Sequence, residues 1–179
     1  AGEILYHLEK WEEAAKMYGK VIEMDEEGKY LEESAHARVL AYFKLVNTSE
    51  KKANLESPLK YEKKDQAEQV QKKDEQKTSV PEPKEIPELK QKLIRACEQY
   101  LTYVSKDSKL GDELVDVRYT MARVYYEHDH LKEAGEIFRQ IAFKHSKDDL
   151  AVISANLHLD TLNRLDNLDQ LHEAVRAYL

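Results

Sequence analysis

The chain has 179 residues, of which 35% are charged and 41% hydrophobic, and its formal net charge is −7. This length allows a sizeable core, but the charge argues against a nucleic-acid partner, because phosphate binding requires a basic face. No run of about 18 apolar residues is present, so we predict no membrane span. A single cysteine, Cys97, excludes an internal disulfide and a cluster of thiolate metal ligands.

Apolar residues recur at steps of three and four along most of the chain, as in helices that pack by one face. The spacing and the polar breaks predict helices over residues 3–8, 11–24, 30–45, 88–104, 112–126, 131–144 and 150–165, with a last helix from Asp169. No stretch is typical of β-strands separated by turns, so we predict an all-α fold. The chain opens and stops inside helical patterns, and we therefore expect it to be part of a longer protein.

One stripe of four residues is repeated along these helices. Its clearest copy consists of Leu131, Ala134, Phe138 and Ile141. Matching copies are Trp11, Ala14, Tyr18 and Val21; Leu93, Ala96, Tyr100 and Tyr103; and, more loosely, Leu168, Leu171, Val175 and Tyr178. The copies that begin at Leu93, Leu131 and Leu168 are 38 and 37 residues apart. A pattern that returns with its internal spacing intact predicts a helical repeat architecture.

Residues 47–87 differ in composition from the rest of the chain. They contain few apolar residues and nine acidic residues against nine lysines, so the net charge of −7 lies on the other residues. Such a segment buries too little surface to offset the entropy lost on ordering it. We predict a flexible insertion between the two helices of one pair, which divides the chain into 1–46, 47–87 and 88–179. A tolerated surface insertion is the simpler interpretation, and a docking segment or lid is the alternative.

Helix pairs with a small residue and an aromatic residue on the second helix resemble the tetratricopeptide repeat. The third repeat supplies Met121, Ala122 and Tyr125 on its first helix and Leu131, Ala134, Phe138 and Ile141 on its second, and the first repeat supplies Gly2, Trp11, Ala14, Tyr18 and Val21. The family's closing proline is replaced by Glu26 and Ser146, the spacing exceeds the usual length of about 34 residues, and the fourth repeat has Leu171 in place of the small residue.

The resemblance implies an α-solenoid of antiparallel helix pairs wound into a superhelix. Residues 1–46 then hold part of a first repeat and the first helix of a second. Residues 88–179 hold the second helix of that repeat, a third repeat and part of a fourth. The fold expected from the resemblance is therefore a stack of about three and a half helix pairs.

The same resemblance implies a non-catalytic protein-interaction scaffold, whose first helices line a concave groove that binds a peptide or protein. The implied groove residues are Tyr119, Arg123, Tyr126, Asn156, Asp160, Asn163 and Arg38. Arginine and tyrosine can hold a peptide by charge-assisted hydrogen bonds and ring contacts, and asparagine can bond to its backbone. A plain solvated face is the competing interpretation of these residues. The alternative function is an assembly module that uses helix ends and outer faces.

The sequence offers little material for catalysis. His128-Asp129-His130 suggests a metal site only weakly, because two imidazoles in one turn diverge and no further ligands follow at a typical spacing. Nucleophile-elbow, phosphate-cradling and dinucleotide-binding glycine motifs are absent. We therefore expect no enzyme activity, no metal and no cofactor, and a metal-binding or enzymatic domain is the least favoured alternative.

Residues 10–45 and 122–163 also resemble envelope repeat proteins of predatory and gliding delta-proteobacteria. That resemblance implies the periplasm or cell envelope of a Gram-negative bacterium, with the cytoplasm as the alternative. Neither resemblance names a partner or an oligomeric state.

Overall fold

The computed structural model of the chain describes residues 2–25, 28–49 and 80–178. Within these ranges the protein has eight α-helices, a short 3-10 helix and no β-strand, which confirms the prediction of an all-α fold. The helices are α1 (Gly2–His7), α2 (Trp11–Met24), α3 (Leu31–Ser49), α4 (Glu88–Tyr103), α5 (Leu114–Glu127), α6 (Leu131–Lys144), α7 (Leu150–Arg164) and α8 (Leu168–Tyr178). None of these described helices combines the length and the apolarity that a bilayer crossing demands.

The predicted insertion, residues 47–87, lies largely outside the described part of the chain. Residues 47–49 form the last turn of α3, and residues 80–87 are a segment without helix or strand that leads into α4. The remaining residues of the predicted insertion, 50–79, are outside the described ranges.

Two compact units share the described residues. Residues 2–25, 28–49 and 86–121 belong to the first unit, and residues 80–85 and 122–178 belong to the second. In the first unit α1 packs on α2, α2 on α3 and α3 on α4, and in the second unit α6 packs on α7 and α7 on α8. Packing between successive helices in each unit is typical of a helical repeat.

Helices α3 and α4 form an antiparallel pair although residues 50–87 separate them in the sequence. The ring of His36, near the start of α3, lies 5.9 Å from the ring of Tyr100, near the end of α4. Ser108, which follows α4, donates its hydroxyl proton to Glu32 in the first turn of α3. Because late residues of α4 contact early residues of α3, the two helices run in opposite directions.

One backbone turn recurs in the connections α1–α2, α5–α6 and α7–α8. Its central residue is Glu9, Asp129 or Asp166, with φ of 59°, 61° and 54°. The N–H of that residue donates to the carbonyl three residues earlier at 3.0–3.2 Å, and the next N–H donates to the carbonyl five residues before it at 2.9–3.0 Å. This pair of bonds is the Schellman motif, which commonly has glycine at the left-handed position. Here an acidic residue occupies it each time, and Asp129 and Asp166 are 37 residues apart, so the backbone repeats the sequence period.

The repeated stripe is fully buried in α6 and partly exposed in α2, in α4, where Tyr103 is exposed, and in α8. All four stripe residues of α6 are buried, as are Leu93, Ala96 and Tyr100 of α4. In α8, however, Leu168 and Val175 are exposed, and the buried residue is Ala174. The stripe predicted for α8 is therefore wrong at Leu168 and Val175, while its other two residues, Leu171 and Tyr178, are half-buried. Helix α8 packs through Ala174 and through Tyr178, whose ring stacks on that of Phe143 on α6 at 4.9 Å.

Helices α6 and α7 are in close contact at Gly135. A Cβ at this position would lie 2.6 Å from Thr161 Oγ1 and 3.8 Å from His158 Cδ2, so a larger residue would force α7 to shift. The Thr161 hydroxyl is itself fixed, because it donates a 2.6 Å bond to the His158 carbonyl in the preceding turn of α7.

Candidate peptide-binding face

The predicted groove residues of the second unit lie on one face of α5 and one face of α7. Arg123 and Tyr126 on α5 are half-buried. On α7, Asn156 and Asn163 are exposed, and Asp160 between them is half-buried. With 3.6 residues per turn, the three α7 residues point within about 60° of one another. They therefore form a single polar surface along the helix.

Two of these residues, on different helices, are in direct contact. The hydroxyl of Tyr126 donates a 2.5 Å hydrogen bond to Asp160 Oδ2, and the Tyr126 ring lies edge-on to the ring of Phe138 at 6.1 Å. Burial, reinforced by the Asp160 carboxylate, raises the pKa of Tyr126 to about 12. The phenol therefore stays protonated at neutral pH and continues to donate. This bond therefore joins the last turn of α5 to α7 within the second unit.

Arg164, in the last turn of α7, completes this contact. Its Cζ lies 4.9 Å from the centroid of the Tyr126 ring, its Nη1 lies 3.9 Å from Asp160 Oδ2, and its Nη2 bonds to Asp129 Oδ1. We call Tyr126, Asp129, Asp160 and Arg164 the polar cluster. Sequence analysis did not select Arg164. The available signal was its position four residues after Asp160, which places both side chains on one face of α7.

Asp129 is the most buried member of the polar cluster, with a side chain only 8% exposed. Burial by itself favours the neutral acid, but the ammonium of Lys84, 2.7 Å away, and the guanidinium of Arg164 outweigh it, so the pKa of Asp129 is lowered. The carboxylate is therefore charged at neutral pH. It links the turn between α5 and α6 to the end of α7.

Both imidazoles of the His128-Asp129-His130 turn are engaged with backbone carbonyls. His128 Nδ1 lies 2.7 Å from the carbonyl oxygen of Val124, and His130 Nε2 lies 2.9 Å from that of Lys84. Because a carbonyl oxygen only accepts, each of these nitrogens carries a proton. Throughout residues 2–25, 28–49 and 80–178, no group of three or more His, Cys, Asp or Glu side chains is placed to hold a metal ion.

The two predicted groove residues of the first unit are packed. Arg38 donates to Gln99 Oε1 and lies 5.8 Å from the centroid of the Tyr42 ring. It also lies against α2, since a Cβ at Gly19 would be 3.1 Å from Arg38 Cζ. Tyr119 is buried. Tyr119 therefore presents little surface to a partner, whereas Arg38 is half-buried, as Arg123 and Tyr126 are.

A second concave surface lies on the opposite side of α7. It is a cleft of about 780 Å³ between α6 and α8, and its lining includes Lys132, Glu136, Arg139, His158, Leu162 and Glu173. The imidazole Nδ1 of His158 lies 2.8 Å from the Tyr178 hydroxyl, and burial lowers the pKa of this histidine. Residues 158, 162 and 165 point away from 156, 160 and 163, because the two sets fall on opposite sides of a 3.6-residue helix. Sequence analysis did not predict this cleft.

The second unit thus has two distinct concave or polar surfaces, the face shared by α5 and α7 and the cleft between α6 and α8. Membership of the tetratricopeptide repeat family stays a prediction from the residue pattern. Comparisons with protein-family models, with curated proteins and with solved structures find no match for this chain.

Proposed function

We propose that this chain is a non-catalytic protein-interaction module of the tetratricopeptide kind, which binds a peptide or an extended protein segment on the face shared by α5 and α7. The observation that supports the proposal is the bond between Tyr126 and Asp160. It joins the end of α5 to α7, which are the first helices of two consecutive pairs in the proposed repeat. In a stack of helix pairs, the surface formed by the first helices is the concave one.

The chemistry of this face suits an extended peptide. Asn156 and Asn163 are exposed, and each carries a donor and an acceptor for a peptide backbone. Val152, which is 74% exposed, lies one turn before Asn156 on the same side of α7 and adds an apolar contact. Because the polar cluster already holds Tyr126 and Asp160 in place, a bound peptide orders few protein side chains, and this lowers the entropy cost of binding.

The charge distribution favours a basic or mixed-charge partner. Residues 47–87 are neutral by count, so the net charge of −7 belongs to the remaining residues. Long-range attraction of this kind acts mainly on the association rate and weakens as salt is added.

The second candidate function is assembly through the outer surface of the helix pairs. The cleft between α6 and α8 supports it, since its volume of about 780 Å³ is sufficient to take a side-chain cluster from another chain. The two candidates place the partner on opposite sides of α7, so mutations on one side distinguish them.

Charge reversal of Arg123 is expected to weaken peptide binding, and charge reversal of Arg139 is not. Each arginine pairs with a glutamate of its own helix, Glu127 at 3.4 Å and Glu136 at 2.9 Å, so both substitutions break one such pair, although Arg123 is 21% exposed and Arg139 is 49% exposed. Peptides selected on the wild-type chain from a displayed library serve as probes. We expect Arg123→Glu to raise their Kd about tenfold, as for the loss of one charged contact.

The same titrations on Arg139→Glu should give the wild-type Kd, and both variants should keep the wild-type far-UV circular dichroism. A loss of affinity confined to Arg139→Glu would indicate that the peptide binds in the cleft between α6 and α8. Equal affinities for all three chains would exclude both surfaces.

A further inference from the structure

Lys84 makes three contacts with three consecutive residues of the α5–α6 turn. Its N–H donates to the His128 carbonyl at 2.8 Å, its carbonyl accepts from His130 Nε2 at 2.9 Å, and its Nζ lies 2.7 Å from Asp129 Oδ2. We call the segment that carries it, residues 80–85, the strap. Main-chain bonds in both directions together with one side-chain contact are how proteins recognise extended peptides. The strap is therefore bound in the manner of a ligand.

The turn keeps its shape through contacts that do not involve the strap. Asp129 has its left-handed φ of 61° within the Schellman bonds, and its carboxylate is held by Arg164. His128 bonds to the carbonyl of Val124 in the preceding turn of α5. The His128 carbonyl and the Asp129 carboxylate, which Lys84 meets, thus belong to a turn that other contacts also hold.

The strap is suited to bind without a large loss of entropy and to be exchanged. Pro81 and Pro83 fix their own φ and restrict the residues before them to extended conformations. The Lys84 side chain is 70% exposed, whereas the carboxylate that it meets is 8% exposed. A solvated cation therefore approaches a buried anion from outside, where the ammonium group of another segment can also reach it.

We propose that the turn His128–His130 is a docking site for an extended segment in which a lysine directly follows a proline, and that the strap occupies this site in cis as an internal competitor. A peptide or protein segment of the same chemistry displaces the strap. Because the strap is tethered, its local concentration lowers the apparent affinity for the external segment. The proposal concerns the turn alone and does not require peptide binding on the α5–α7 face.

The test uses the full chain and a fluorescent peptide with the sequence of residues 80–87. Lys84→Glu places a negative charge next to the Asp129 carboxylate and should therefore release the strap. Release should appear in hydrogen exchange as a loss of protection of the backbone amide of residue 84. We expect this variant to bind the probe about tenfold more tightly than the wild-type chain in fluorescence anisotropy. Lys144→Glu, an exposed lysine at the end of α6, is the matched control and should behave as wild type.

Two further arms identify the contacts. A probe with alanine in place of its lysine should bind none of the chains, and His130→Ala in the Lys84→Glu chain should weaken the binding of the unaltered probe. The proposal is wrong if Lys84→Glu exposes the residue 84 amide and still binds the probe no better than wild type. It is also wrong if that amide stays protected in Lys84→Glu, because lysine is then not what holds the strap.

Discussion

Replacing Phe138 by alanine is expected to lower the free energy of unfolding by about 3–5 kcal/mol, the usual range for removing a buried phenylalanine ring. Phe138 is fully buried in α6 and its ring meets that of Tyr126, so truncation leaves a cavity between α5 and α6. Urea denaturation followed by far-UV circular dichroism measures the change.

Phe143→Ala is the control on the same helix. Phe143 is 45% exposed and stacks on Tyr178 at 4.9 Å, so its loss should cost about 1 kcal/mol. Similar costs for the two substitutions would mean that the stripe of α6 does not face the core. That result would contradict the repeat-based interpretation of the sequence as well as the packing of the second unit.

Replacing Asp129 by asparagine is expected to cost about 2–3 kcal/mol at neutral pH. Removing one partner of a buried ion pair costs about 3–5 kcal/mol because the other charge stays uncompensated. The loss of stability expected for Asp129→Asn is smaller than this, because Arg164 is 17% exposed and Lys84 is largely solvated. Asparagine tolerates a positive φ, so this substitution removes the charge without straining the turn. Chemical denaturation of both chains gives the difference.

The cost of Asp129→Asn should depend on pH in a defined direction. The pKa of Asp129 is lowered in the folded chain, so its contribution to stability is complete above the unfolded value of about 3.9 and is lost as the pH falls through the folded value. The difference in the free energy of unfolding between the wild-type chain and Asp129→Asn should therefore become smaller below about pH 4. Asp166→Asn is the control, because Asp166 has the same left-handed position but is exposed. A large loss of stability in Asp166→Asn would indicate that the loss in Asp129→Asn comes from the backbone of the turn and not from the carboxylate charge.

Helix positions were predictable because they depend on local apolar spacing. The bounds predicted for α2 and α6 agree with the structure, since a polar break flanks each end of these helices. Helix α3 continues to Ser49, beyond the predicted end, because Val46 is buried and the hydroxyls of Thr48 and Ser49 bond back to carbonyls of the preceding turn. A local pattern of polar residues does not reveal that kind of extension.

The candidate face was predictable in part. Helical period places Asn156, Asp160 and Asn163 together, and the resemblance adds Tyr126. The contacts of Asp129 with Arg164 and Lys84 join residues 35 and 45 positions apart, and no local period encodes such distances. The left-handed turn at Asp129 could not be predicted either. Glycine usually marks such a turn, and none of its three copies has glycine at the left-handed position.

The most direct measurement is site-specific photocrosslinking of the library-selected peptides. One variant carries a benzophenone amino acid at position 156 on α7. A second variant carries it at position 132 on α6, which lines the cleft between α6 and α8. Binding on the face shared by α5 and α7 predicts crosslinked peptide from position 156 and none from position 132. Crosslinking from position 132 alone would contradict it.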